Sequence, residues 1–209
     1  MSNAPSARGR HSLSSLLPIL LLCGGLIEGC SGDDDGIGVA LMCDSGDAPL
    51  TVGRCRRPDG TDCNGCEAGG SFVGLPNCAM DMGGAGNFVR LGGGDAMPVV
   101  LGPQGSPMLV LGAQAAGIEN GGSEAEWPRV GVGVVDRGSG EQLADFTDLH
   151  VDFDSASGTP TANLLFVVLD SQNPSNLVGH SLGIVGSARD RGSMRFCGRT
   201  NITVDRYIE

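Results

Sequence analysis

Two stretches of this 209-residue chain hold residues whose types and spacing could do chemistry. Cys63-Asn-Gly-Cys66 has the spacing of a redox-active dithiol or of half a zinc site. Such a dithiol needs a strand-to-helix setting, and nothing around it has helical periodicity. A zinc site needs a second cysteine pair, whereas Cys43, Cys55 and Cys78 each stand alone. Structural disulfides are the better reading, with redox or metal chemistry as the alternative. In the second stretch, Asp148, His150, Asp152 and Asp154 alternate with Leu149, Val151 and Phe153, as on a strand with one wet face. Same-face neighbours on a strand lie ~6.5–7 Å apart, and Ca²⁺ takes about six to eight oxygens from several directions. The stripe therefore predicts a solvated acidic face. A divalent cation shared with a neighbouring loop is the alternative.

Other chemistries find less support. A blue-copper centre needs a thiolate, two imidazoles and usually an axial methionine. Cys197, Met194, His150 and His180 exist, but no His or Met follows Cys197. For nucleophilic catalysis there is no Gly-x-Ser-x-Gly elbow, and His180, between Gly179 and Ser181, reads as a surface residue. Trp127, the one tryptophan, reads as a core or inter-sheet plug rather than a ligand platform. No catalytic residue and no cofactor is assigned.

Strand-like runs must position these residues. Between 87 and 204, β-rich segments recur, separated by Gly, Pro, Asn, Asp and Ser. The expected strands are Asn87–Leu91, Met97–Leu101, Met108–Gln114, Arg129–Asp136, Phe146–Asp154, Asn163–Asp170, Gly179–Ser187 and Ser193–Val204. Leu164–Leu169 is apolar on both faces and predicts a central strand. Together these runs predict an all-β fold, an immunoglobulin-like or related two-sheet antiparallel sandwich over 87–209.

Cysteine parity ties this domain to what precedes it. After Cys30 six cysteines remain: Cys43, Cys55, Cys63, Cys66, Cys78 and Cys197. An even number in an exported chain reads as disulfides. Five of them fall in 41–86, a cysteine-rich segment and linker with too few large apolar residues for a core of its own. If all six pair within the chain, one of the five must reach outside the segment, and Cys197 is the candidate.

The export expectation comes from the start of the chain. Arg8, Arg10 and His11 precede an apolar run from Leu13 to Ile27, shorter than the ~20 residues a spanning helix needs. Ile27-Glu28-Gly29-Cys30 then resembles the lipobox of bacterial lipoproteins: an aliphatic residue, two mostly small ones and a cysteine. Glu28 departs from that pattern, and plain secretion is the alternative. The resemblance implies a signal peptide over 1–29, lipidation of Cys30 with fatty acyl chains such as palmitate, and a flexible acidic tether over 30–40. Ser31 in the second mature position resembles the outer-membrane sorting pattern. Leu101–Leu111, with Gly102, Pro103, Gln104 and Gly105, is similar to a turn between strands in uncharacterised β-sandwich surface lipoproteins of high-GC Gram-negative bacteria. That likeness implies no activity.

Loss of Arg8, Arg10 and Glu28 with such a signal takes the 13 basic residues, all arginine, to 11 and the 24 acidic ones to 23. An acidic chain without a basic cluster argues against nucleic-acid binding. The sequence thus predicts a lipid-anchored envelope lipoprotein, outer-membrane sorted, with a non-catalytic structural, adhesive or binding role. Its expected partners are the membrane and an envelope protein or polysaccharide. A ligand- or divalent-metal-binding protein using the acidic face, and an envelope hydrolase, are the alternatives.

Overall fold

The computed structural model describes residues 43–57, 60–63, 87–102, 104–155 and 158–208. The signal, Cys30, the tether, Cys66, Cys78 and the linker at 81–86 lie outside them. The described chain is mostly β and contains no α-helix. Its strands are β1 (Ala48–Pro49), β2 (Thr51–Arg56), β3 (Asn87–Arg90), β4 (Asp95–Leu101), β5 (Pro107–Gln114), β6 (Arg129–Asp136), β7 (Gln142–His150), β8 (Thr161–Val168), β9 (Ser181–Arg189) and β10 (Arg195–Ile208). The eight strands expected after residue 86 have counterparts, but β7 lies at Gln142–His150 and not at Phe146–Asp154. The expected Gly102–Gly105 turn joins β4 to β5, with Gly105 at φ 78° and its N–H donating to the Gly102 carbonyl at 2.9 Å.

The strands hydrogen-bond in the order β3-β2-β5-β4-β10-β9-β6-β7, with β8 on the other side of β5 and β1 on β10. The pairing is mixed rather than purely antiparallel. Chain neighbours joined by short turns pair antiparallel, whereas β4 and β1 run parallel to β10. Both are far from β10 in sequence, so no tight turn dictates their direction. The sheet curls until β8 approaches β7, where the Asp170 N–H donates to the Leu143 carbonyl at 2.6 Å.

Curling places one apolar face of nearly every strand in a common core that includes Val99, Leu109, Leu111, Val130, Val134, Phe153, Leu182, Ile184, Phe196 and Ile202. β5 is buried on both faces, as β6 is from Val130 to Asp136. Leu109, Leu111 and Ala113 face the common core, while Met108 and Val110 pack with Val100 beside Phe166 and Ile208. This corrects the expectation for Leu164–Leu169. Because β8 pairs with β5 alone, Leu165, Val167 and Leu169 are buried but Val168 is 39% exposed. Trp127 is half-buried at the end of a 3₁₀ turn, Glu124–Glu126, and not in the core.

The first half of the cysteine-rich segment belongs to this sheet and is not a separate module. Too poor in apolar residues for its own core, it contributes Leu50 and Val52 to the common one. β1 pairs with β10, Ala48 opposite Phe196 and Pro49 opposite Cys197, and the Leu50 N–H donates to the Cys197 carbonyl at 2.9 Å. β2 then passes to β5 and β3. The Cys43–Cys197 disulfide joins this segment to β10 as parity predicted, with Cα atoms 5.3 Å apart.

Glycines make the crossing possible. A Cβ at Gly198 would fall on the Leu50 carbonyl oxygen, and one at Gly186 would sit 3.0 Å from Leu50 Cδ2 and Val52 Cγ2. The Leu50 carbonyl is backbone and cannot swing aside. Gly198→Ala is therefore expected to cost about 1–3 kcal/mol in urea unfolding. An unchanged midpoint would refute this role for the crossing.

Candidate functional site

The acidic face read from the sequence does not form. β7 ends at His150, and Asp148 adopts a left-handed backbone (φ 70°) within a register shift against β6, which breaks the alternation. Each residue instead finds its own partner. Arg129 Nη1 donates to Asp148 Oδ1 at 3.3 Å, and His150 Nδ1 bonds the Glu124 carbonyl oxygen at 2.9 Å. Asn120 donates to Asp152 and exchanges hydrogen bonds with the Phe153 backbone, while Asp154 bridges Thr161 through backbone atoms. Among the described residues, no group of three or more His, Cys, Asp or Glu is placed to hold a metal ion.

The cysteines are likewise committed. Cys197 is bonded to Cys43, which removes the thiolate a copper centre would need, and Met194 is 55% exposed. Cys55 and Cys63 are also disulfide-bonded and are 4% and 3% exposed. The Cys63–Cys66 spacing therefore includes at least one oxidised, buried cysteine, as a structural staple requires.

Two charged clusters emerge that the sequence did not reveal. In the first, the Asp62 carboxylate accepts from Arg56 Nε at 2.7 Å and Arg206 Nη2 at 3.2 Å, with Arg54 Nη1 3.4 Å away. Arg54 is 4% exposed and donates to the Ala96 carbonyl at 2.6 Å. Burial pulls its guanidinium pKa down from the ordinary value against the pull of Asp62. A void of about 10 Å³ beside Arg54 and Asp62 has room for one water and no more. This cluster fastens β2 to β4 and β10.

The second cluster lies in a groove. β6 ends at Asp136, and the β6–β7 hairpin closes on it. Its N–H donates to the Glu141 carbonyl at 2.9 Å, its carbonyl accepts from Gly140 at 2.7 Å, and its Oδ1 accepts the Gly138 N–H at 2.9 Å. The other carboxylate oxygen accepts from His180 Nδ1 at 2.8 Å. His180 follows a 3₁₀ turn, Pro174–Leu177, and Gly179 at φ 90°; its carbonyl accepts from the Val204 N–H at 3.0 Å. Bonding to a carboxylate makes Nδ1 the protonated ring nitrogen. Asp136 is 4% exposed. Burial acts to raise its pKa, but the hydrogen bonds from His180, the Gly138 N–H and Ser139 outweigh it and hold the carboxyl below its usual range.

Around this pair lies an open groove of about 500 Å³, lined by Glu141, Asp170, Ser171, Gln172, Asn173 and Asn176 over an apolar floor of Leu143 and Leu177. A second groove of about 640 Å³ shares Leu143, Asp170, Ser171 and Gln172 with it. That groove continues between Ala144–Phe146 on β7 and Val168–Leu169 at the end of β8. Together they form a seam where the curled sheet nearly closes. The pair is a carboxylate–imidazole unit. Asp136 and His180 are 44 residues apart, and no local pattern links them.

No protein-family model, no curated protein and no solved structure matches this chain. The functional reading therefore rests on composition and geometry.

The Asp136 pair makes stability pH-dependent with a definite sign. A carboxyl whose pKa is lower folded than unfolded stabilises the fold above its unfolded value. That contribution fades as pH falls through the folded value. Unfolding stability is thus expected to drop in acid below about pH 4. His180→Ala should raise the Asp136 midpoint, because burial then meets less opposition. Carboxyl ¹³C NMR titration measures it, and a midpoint unmoved by the substitution would contradict the assignment.

Proposed function

We propose that this chain is an exported, lipid-anchored envelope protein, outer-membrane sorted, whose β domain has a non-catalytic binding or structural role. The observation that carries this reading is the state of its cysteines. Cys43, Cys55, Cys63 and Cys197 are all disulfide-bonded, and such bonds persist in oxidising, extracytoplasmic compartments. The short basic-then-apolar start, ending at Cys30, supplies the matching address. Several acyl chains on one cysteine give stable anchoring, since each buried methylene adds ~0.8 kcal/mol.

We read the curled sheet as an immunoglobulin-like or related two-sheet sandwich, with β3-β2-β5-β8 on one side, β7-β6-β9-β10 on the other and β4 bridging them. The common apolar core and the close approach of β7 and β8 support that reading. A domain stapled in this way, carrying a polar groove and a surplus of carboxylates, suits recognition on the outside of a membrane better than chemistry that needs an assembled nucleophile.

Mass spectrometry of the protein isolated from membranes tests the anchor. The expected mature N-terminus is a lipid-modified Cys30, and Cys30→Ser should move most of the protein to the soluble fraction. An unmodified Cys30 in membrane-isolated protein would overturn the anchor.

A further inference from the structure

We propose that the seam between β7 and β8 docks an extended, arginine- or lysine-bearing segment of a partner protein. The proposal rests on the binding role proposed above and names the class of partner.

The first support is the state of the two strand edges. Among the described residues β7 pairs with β6 and β8 with β5, and apart from the Asp154 bridge to Thr161 at the start of β8 no further strand lies on their other edges. A free edge presents backbone N–H and C=O groups that an added strand satisfies. Next to the Asp170–Leu143 hydrogen bond that pins the edges together, the seam widens into the groove of about 640 Å³ between Ala144–Phe146 and Val168–Leu169. An extended segment entering there meets backbone on both sides.

The second support is an exposed apolar side chain on one wall. Val168 is 39% exposed on the face of β8 opposite the buried Leu165 and Val167, whereas Phe146 on the other wall packs against the common core. Strand addition gains affinity from main-chain bonds and selectivity from alternate side chains. Val168 would receive an apolar member of an alternating segment.

The third support, which selects the occupant, is charge. Glu141, Asp145 and Asp170 are exposed along the seam, and among the described residues no arginine lines either groove and His180 is the one basic side chain. With a formal charge of −11 on the chain, a second copy would bring more carboxylates to these three, and like charges at an interface cost specificity and rate. A cationic segment gains what a second copy loses. A polysaccharide would leave the strand edges unpaired.

The test uses the full chain with its disulfides intact. A labelled Arg/Val alternating peptide and its Glu/Val counterpart are titrated by fluorescence anisotropy, with ¹⁵N NMR to locate binding and a neutral envelope oligosaccharide as a third arm. The expected result is binding of the Arg/Val peptide alone, with shifts at residues 143–146 and 168–170. Asp145→Asn with Asp170→Asn, both exposed sites, should weaken it roughly tenfold. Equal binding of both peptides, shifts confined elsewhere, preference for the oligosaccharide, or no binding would each overturn the proposal. The assay is in solution, so its failure refutes the docking groove without touching the lipid anchor, which the mass of Cys30 decides separately.

Discussion

The fold depends on one crossing, where the backbone at Leu50 lies flat on β10. The Leu50 N–H donates to Cys197, whose side chain is bonded to Cys43, and the missing side chain of Gly198 is what lets the two backbones meet. Arg195 adds ion pairs to Asp44 at 2.6 Å and Asp47 at 3.5 Å just beside it. Everything that β2 does follows from this. From the crossing it places Val52 in the core, pairs with β5 and β3, and sets Arg54 and Arg56 around Asp62. A segment that could not bury a core of its own becomes the strap of a larger one. The disulfide spans 154 residues of chain, a loop long enough for its closure to remove substantial entropy from the unfolded state.

The strap and the seam stand at opposite levels of completion. At the strap, backbone, disulfide and ion pairs all converge on a few residues. At the seam, a single backbone hydrogen bond joins β7 and β8, and carboxylates flank the opening. The Asp136–His180 pair fixes one end by holding the β6–β7 turn against the start of β9. A stapled frame whose β7 and β8 edges carry no further strand among the described residues suits recognition by strand addition. The same compartment that lets disulfides persist is where an anchored binding domain would meet its partner.

Much of the frame was legible in the sequence because its signals are local. Apolar runs punctuated by Gly, Pro and Asn mark eight strands, and counting cysteines alone points to Cys197. What failed depends on long-range placement. Leu164–Leu169 read as a central strand, but among the described strands β5 is paired on both edges and β8 along one. The Asp148–Asp154 alternation looked like a strand face, but the left-handed backbone at Asp148 cannot be read from residue types. Ala48–Arg56 lies in the segment read as cysteine-rich and too poor in apolar residues for a core; it forms strands because β10 and β5 offer partners. Asp136 and His180 carry no shared local signal. The lipobox-like motif lies outside the described residues and speaks only through composition.

The Cys43–Cys197 strap holds the β domain together. Equilibrium urea unfolding of the chain, with and without Cys43→Ser and Cys197→Ser together, tests it most directly. The account predicts a loss of about 4 kcal/mol with the Cys55 and Cys63 disulfides intact. Unchanged stability in the double variant would contradict it.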